Sequence, residues 1–161
     1  MRELADLFSA ERVECLPGIG SKKRLLEVLS ELLVKGNPGL VQSEVFVSLC
    51  GRERLGGTGL GHGMAIPHGR PASASRPTCA FIKLRQGVDY DAPDSQPVDL
   101  ICGLVVPLES THDHLDILAS LAEMFSDPAS CMQLRAAANS NALYELLVGW
   151  QAVSRERVAG S

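Results

Sequence analysis

VDLICGLVV, residues 98–106, settles the fold class. Beyond Asp99 nearly every position is apolar, and Pro107 ends the run. A strand with one wet face alternates polar and apolar residues. A strand without that alternation is covered on both faces. Covering both faces takes a layer of helices on each side of a sheet. The flanking sequence supplies them. Ser21 precedes KKRLLEVLSELLVKG, in which Leu25, Leu26, Val28, Leu29, Leu32 and Leu33 recur at helical spacing until Gly36 closes the run. Asn37-Pro38-Gly39 is a turn, and Val41, Val45, Phe46 and Leu49 carry a second helix to near Gly51. Residues 78–85 (TCAFIKLR) read as a second strand, and the polar residues 87–97, with two prolines, as a connection. After Pro107 come a helix over 112–126, another from Pro128 through Ala138, and a short one over 141–150. The expectation is one three-layer α/β domain over residues 1–150. A polar, frayed tail follows over 151–161.

Composition narrows the function. A chain of 161 residues that is 45% hydrophobic and 21% charged can bury a real core and is not disordered. A net charge of -4, without blocks of like charge, and 4% aromatic residues argue against a nucleic-acid surface. The longest apolar stretch, residues 100–108, is far too short for a bilayer. MRELADLFSA places acids where a signal peptide has its apolar core. The five cysteines (Cys15, Cys50, Cys79, Cys102, Cys131) are scattered and odd in number, and read as reduced thiols of a cytoplasmic protein.

The chemistry gathers around GGTGLGHGMAIPHGR, residues 56–70. Gly57, Gly59, Gly61 and Gly63 alternate, which leaves one side of an extended backbone bare and open to close approach. The spacing departs from GxGxxG, and no GK[ST] follows, so a nucleotide loop is excluded. Taken alone, the glycines favour a tight irregular turn without function. Pro67 drives the preceding residues toward extended geometry, and Gly69 permits an abrupt exit. His68 therefore stands at the end of an extended segment with its ring direction set by the backbone. A neutral imidazole is a good nucleophile near pH 7. The blander alternative is a histidine that hydrogen-bonds a turn.

All four histidines lie between residues 62 and 114. Ser110 to Asp113 has capping-box spacing at the start of the helix over 112–126. His114 then borders the buried stripe in the first turn, where the helix dipole favours an anion and depresses an imidazole pKa. Its blander reading is a partly buried helix-start residue, and that of His112 a solvated neighbour of the cap. Arg52 suits phosphoryl oxygens, although alone it and Arg54 read as helix-end charges. Together His68, His114 and Arg52 fit phosphoryl transfer to a histidine, which needs positioning and stabilisation of the equatorial oxygens. A rival set joins His112, His114 and His68 with Asp113 or Asp116 around zinc or iron. It is disfavoured because His112 and His114 do not share a helical face and HDHLD lacks HExxH geometry. A Ser-His-Asp hydrolase is weaker still, for want of GxSxG. No cofactor and no metal is expected. Leu60, Met64 and Ile66 flank His68 as either docking surface or core.

The sequence resembles the nitrogen-regulatory enzyme IIA of the bacterial phosphotransferase system, within the mannitol/fructose-type IIA superfamily. The resemblance rests on Ser21-Lys22-Lys23-Arg24, Arg52-Glu53, GGTGLGHGMAIPHGR, QPVDLICGLVVP and His114-Leu115, in register over residues 4–150. It implies a mixed β-sheet flanked by helices on both faces. It implies that His68 is phosphorylated on Nε2, that His114 supports the phosphoryl group, and that Arg52 is an active-site arginine. The implied donor is a small histidine phosphocarrier protein, charged from phosphoenolpyruvate through enzyme I. The implied output is regulatory, through binding to proteins of potassium transport or nitrogen metabolism, or to sensor kinases. A sugar-uptake IIA that hands its phosphate to a IIB domain is the alternative, disfavoured by the lack of a fused IIB-like or membrane segment. Two positions depart from the family pattern. His62 stands where members commonly carry Asn, and Asp116 where some have a further histidine.

Overall fold

The computed structural model describes residues 4–149, and the apolar run after Pro97 is its central strand. The strands are β1 (Val13–Leu16), β2 (Gly59–Gly61), β3 (Met64–Ala65), β4 (His68–Gly69), β5 (Thr78–Val88) and β6 (Val98–Val105). The helices are α1 (Lys22–Leu33), α2 (Gln42–Arg54), α3 (Thr111–Phe125), α4 (Pro128–Ala136) and α5 (140–149). Sheet order is β1-β5-β6-β3-β2, with β4 also on β6. β5 runs antiparallel to β6, whereas β3 and β4 run parallel to it, so the sheet is mixed.

β6 is covered on both faces. Leu100, Cys102 and Leu104 join Phe81, Leu121, Phe125, Leu134 and Leu143 in one core, under α3, α4 and α5. Ile101 and Val105 join Ile82, Leu29 and Leu49 in the other, under α1 and α2. Each fully buried leucine contributes about 1.5–3 kcal/mol, so the two cores together dominate stability. Gly103 lets α1 press onto the strand: a Cβ there would lie 2.9 Å from Leu29 Cδ2.

Local signals explain α1. Ser21 Oγ accepts the Arg24 N–H at 3.1 Å, capping the helix start. Gly36 takes φ +66° just past its end. The turn there is clamped by Arg12, only 5% exposed. Its guanidinium donates to the carbonyls of Leu7, Lys35 and Cys79 at 2.9–3.1 Å. Burial lowers its pKa.

Several expectations are corrected. β1 was not foreseen, because VECL is too short and too unevenly buried to show a period. The glycine segment is no bare loop. It enters the sheet as β2, β3 and β4, and the chain itself fills the space its glycines clear. A Cβ at Gly59 would lie 3.3 Å from Ala92, and one at Gly63 2.7 Å from Asp99 Oδ1. β5 continues to Val88 through an irregular register, so Gly87 is in the strand. α2 continues past Gly51 to Arg54, and α4 stops at Ala136 rather than Ala138. Ser110 does not form a capping box. Its ψ of 50° is not the extended geometry that aims an N-cap side chain at the first turn, and no cap hydrogen bond forms. Residue 150 and the tail over 151–161 lie outside the described residues.

The departure at His62 has a conformational reading. His62 has φ +57° and sits between Gly61 and Gly63, both also left-handed. Asn is among the residues that tolerate this region best. Gly69, by contrast, has a packing reason: a Cβ would come within 3.0 Å of Ser48 Cβ and 3.1 Å of the Ser48 carbonyl carbon. Urea denaturation should show His62→Val destabilised by about 1–2 kcal/mol and His62→Gly by none. Gly69→Ala, measured the same way, should cost about 1–3 kcal/mol through overpacking of α2 against β4.

Candidate active site

Backbone pairing delivers His68. The Leu104 N–H donates to Pro67 O at 3.0 Å and the Val106 N–H to Gly69 O at 3.2 Å, with His68 opposite Leu104 in register. This fixes β4 at the C-terminal end of β6, the end that leads into α3. The His68 side chain is 9% exposed, and its Nδ1 lies 2.8 Å from Ile66 O. A carbonyl only accepts, so Nδ1 carries the proton and Nε2 keeps its lone pair.

A second set of residues holds Ile66. Its N–H donates to Thr58 O at 3.1 Å. The Thr58 N–H donates to Glu53 Oε1 at 3.1 Å, and its hydroxyl donates to Glu53 Oε2. With that proton committed, the Tyr90 hydroxyl donates to Thr58 Oγ1 at 3.0 Å. The Glu53 carboxylate, 6% exposed, is paired with Lys22 Nζ at 2.9 Å, and this ammonium also stands 4.3 Å over the Tyr90 ring. A buried carboxylate persists when it is both paired and hydrogen-bonded. Thr58 and Tyr90 escaped the sequence reading. Tyr90 left one faint signal, an aromatic residue inside an otherwise polar connection.

His114, the fourth residue of α3, faces His68. The ring centroids are 5.4 Å apart at an interplanar angle of 63°. Burial lowers the His68 pKa, Arg52 lowers it further, and the Ile66 hydrogen bond and Glu53 oppose the shift. Burial also lowers that of His114, with His68, Arg70 and Arg52 adding to the effect. Both rings are neutral at pH 7. Arg52, on the last turn of α2, bears electrostatically on both rings while its Nη1 donates to Gly56 O at 2.7 Å. His68 and His114 therefore face each other, with the Arg52 charge bearing on both. Arg70, which the sequence reading passed over, joins them from the residue after Gly69.

The other candidates lie elsewhere. His112 has a side chain 90% exposed and pairs with Asp116 at 3.4 Å on the outside of α3. The proposed metal ligands thus do not converge, and among the described residues no three His, Cys, Asp or Glu side chains gather as a metal site. His62 is exposed at the β2–β3 turn, where its N–H donates to Asp94 Oδ2 and its carbonyl accepts from Arg135 Nη2. Arg54 is exposed, and its charge is felt at Cys50 rather than at the two rings. Met64 and Ile66 are core, and Leu60 is the exposed member of that trio. Among the described residues, no helix is long and apolar enough to cross a membrane.

The chain is similar to known proteins over most of its length. The nitrogen regulatory protein of Klebsiella oxytoca is 38% identical over 146 residues, covering 90% of each chain. That of Pseudomonas aeruginosa is 40% identical over 136 residues, covering 84% of this chain and 88% of its own. The crystal structure of the nitrogen regulatory protein IIA-Ntr from Neisseria meningitidis superposes with a TM-score of 0.80 at 39% identity, over 89% of this chain and 97% of that one. Residues 6–149 match the model of the phosphoenolpyruvate-dependent sugar phosphotransferase system EIIA 2 family. Neutral paired imidazoles at the end of a doubly covered strand, together with these relatives, place the chain in that family, as a IIA protein of the nitrogen-regulatory type.

Proposed function

We propose that His68 accepts a phosphoryl group on Nε2 from the phosphohistidine of a small phosphocarrier protein, and that the phosphorylation state then governs binding to partner proteins. The observation that carries this reading is the hydrogen bond from His68 Nδ1–H to Ile66 O, which leaves Nε2 as a lone-pair nucleophile beside His114. In the transfer, the Nε2 lone pair attacks phosphorus in line and one N–P bond forms. The donor's N–P bond breaks, and its electron pair returns to the donor imidazole. No proton has to leave His68, because Nδ1 keeps its own, and Ile66 O stabilises the positive charge that develops on the ring. His114 and Arg52 meet the equatorial oxygens, where charge must be balanced during transfer.

The relatives named for nitrogen regulation support a regulatory output. We infer that it is exerted in the cytoplasm, on targets such as components of potassium transport or sensor kinases. The family description names a sugar system, which supports a second reading: a IIA component that passes its phosphate to a IIB domain. Movement of label from the phosphorylated chain to a sugar-permease IIB would decide for that reading.

Incubation with phosphoenolpyruvate, enzyme I and the phosphocarrier should place one acid-labile, base-stable phosphate on the chain. His68→Ala should carry none, and label persisting in that variant would refute the assignment. His114→Ala should keep its circular dichroism and accept phosphate roughly ten- to a hundredfold more slowly.

The lowered pKa values set a pH dependence. The acceptance rate should stay level as pH falls through the ordinary imidazole value of 6.5 and decline only below it. Stability follows the same groups. The unfolded chain protonates near 6.5 while the folded rings resist, so the unfolded state binds more protons in that window. The stabilisation is fully present above the unfolded pKa and is lost as pH falls through the lowered folded value. Thermal denaturation across this window should show a shallower slope for His68→Ala than for the wild type.

A further inference from the structure

Arg70 is tied down at both ends. Its main-chain N–H donates to Ser48 Oγ at 2.9 Å, seating it against α2. Its Nη2 donates to Leu108 O and to Thr111 Oγ1, the latter at 3.1 Å, at the start of α3. The side chain thus runs from the strand that carries His68 to the helix that carries His114. Between these anchors its Nε is buried and meets no acceptor. Among the described residues, the other buried side-chain nitrogen or oxygen without a partner is His114 Nε2. The two orphans lie at the same helix start, since Arg70 Nη2 bonds Thr111, about one turn before His114 in α3. Orphaned buried polar atoms are rare in folded proteins and call for an explanation. A buried guanidinium N–H beside a buried imidazole nitrogen, both without partners, is explained by an anion with several acceptor oxygens.

We propose that Arg70 is a catalytic residue of the phosphoryl site, its Nε–H donating beside the His114 ring to the oxygens of the group transferred to His68. This rests on the reading of His68 as the phosphoryl acceptor. The bonds made and broken are those of the transfer itself, and Arg70 contributes a hydrogen bond without moving a proton. The same side chain also holds the start of α3, and with it His114, against β4.

The test uses the full chain as wild type, Arg70→Lys and Arg70→Ala, phosphorylated by the charged phosphocarrier. The Arg70 Nε–H resonance should shift downfield in wild type when His68 is phosphorylated. Arg70→Ala should accept phosphate about thirty- to a hundredfold more slowly. Arg70→Lys keeps the charge but has no Nε–H in the fork geometry, so it should recover less than a tenth of the wild-type rate. An unmoved Nε–H resonance on a chain labelled at His68, or a lysine variant at the wild-type rate, would overturn the proposal. Should the alanine variant fail to fold, the resonance and the lysine variant still decide. If wild-type His68 takes no label, the acceptor reading itself fails. A titration with inorganic phosphate, followed at Arg70 Nε, then tells the two failures apart, and no shift there overturns the anion site as well.

Discussion

The pairing of β4 with the last residues of β6 is the constraint on which the site depends. β6 is occupied on both edges, by β5 on one side and by β3 and β4 on the other. Because β4 is only two residues long, its few ladder hydrogen bonds do little for stability by themselves. Their importance is positional. They place His68 where the chain leaves the sheet for α3, so that the partner imidazole arrives from the next element. The doubly covered strand supplies the rigidity, since neither of its faces can relax without opening a core.

Behind the imidazole stands a relay of held groups. Half-buried Lys22 from α1 pairs with the buried Glu53 carboxylate from α2, Glu53 holds both donors of Thr58, and the Thr58 carbonyl holds the Ile66 N–H. Ile66 then offers its carbonyl to His68. One side of the ring is thereby referenced to the α1–α2 layer. The other faces a helix belonging to the opposite layer. The site lies on the seam between the two cores, and its geometry reports on how both layers seat against the sheet.

The strong periods were legible in the sequence. The unbroken apolar run of β6, the leucine spacing of α1 and the helical stripe of α3 each carry enough buried positions to define a face. The Pro67-His68-Gly69 unit was legible because proline and glycine act on the backbone directly. What escaped was short or non-local. β1 exists because β5 offers it an edge, which four residues cannot announce. β2 and β3 escaped because glycine lacks strand propensity, and because the long-range partner of β3, the strand β6, lies more than thirty residues away. Thr58, Tyr90 and Arg70 act through partners that only the tertiary fold brings near, so their spacing carries no pattern. Ser110 shows the converse, a capping signature that local geometry overrules.

The hydrogen bond that fixes the His68 tautomer also bears on how a partner would read this surface. A ring held at Nδ1 has no freedom to swing when Nε2 gains a substituent, and a phosphoryl group there would project along one direction. Its negative charge, partly offset by the proton that Nδ1 keeps, would be set on a chain with net charge -4 and would alter the local potential. A partner would then distinguish the two forms through the field at the docking face rather than through a change of shape. Fields at a surface are screened over about 8 Å at physiological ionic strength. The signal would therefore be short in range, sensitive to salt, and legible only to a partner already in contact.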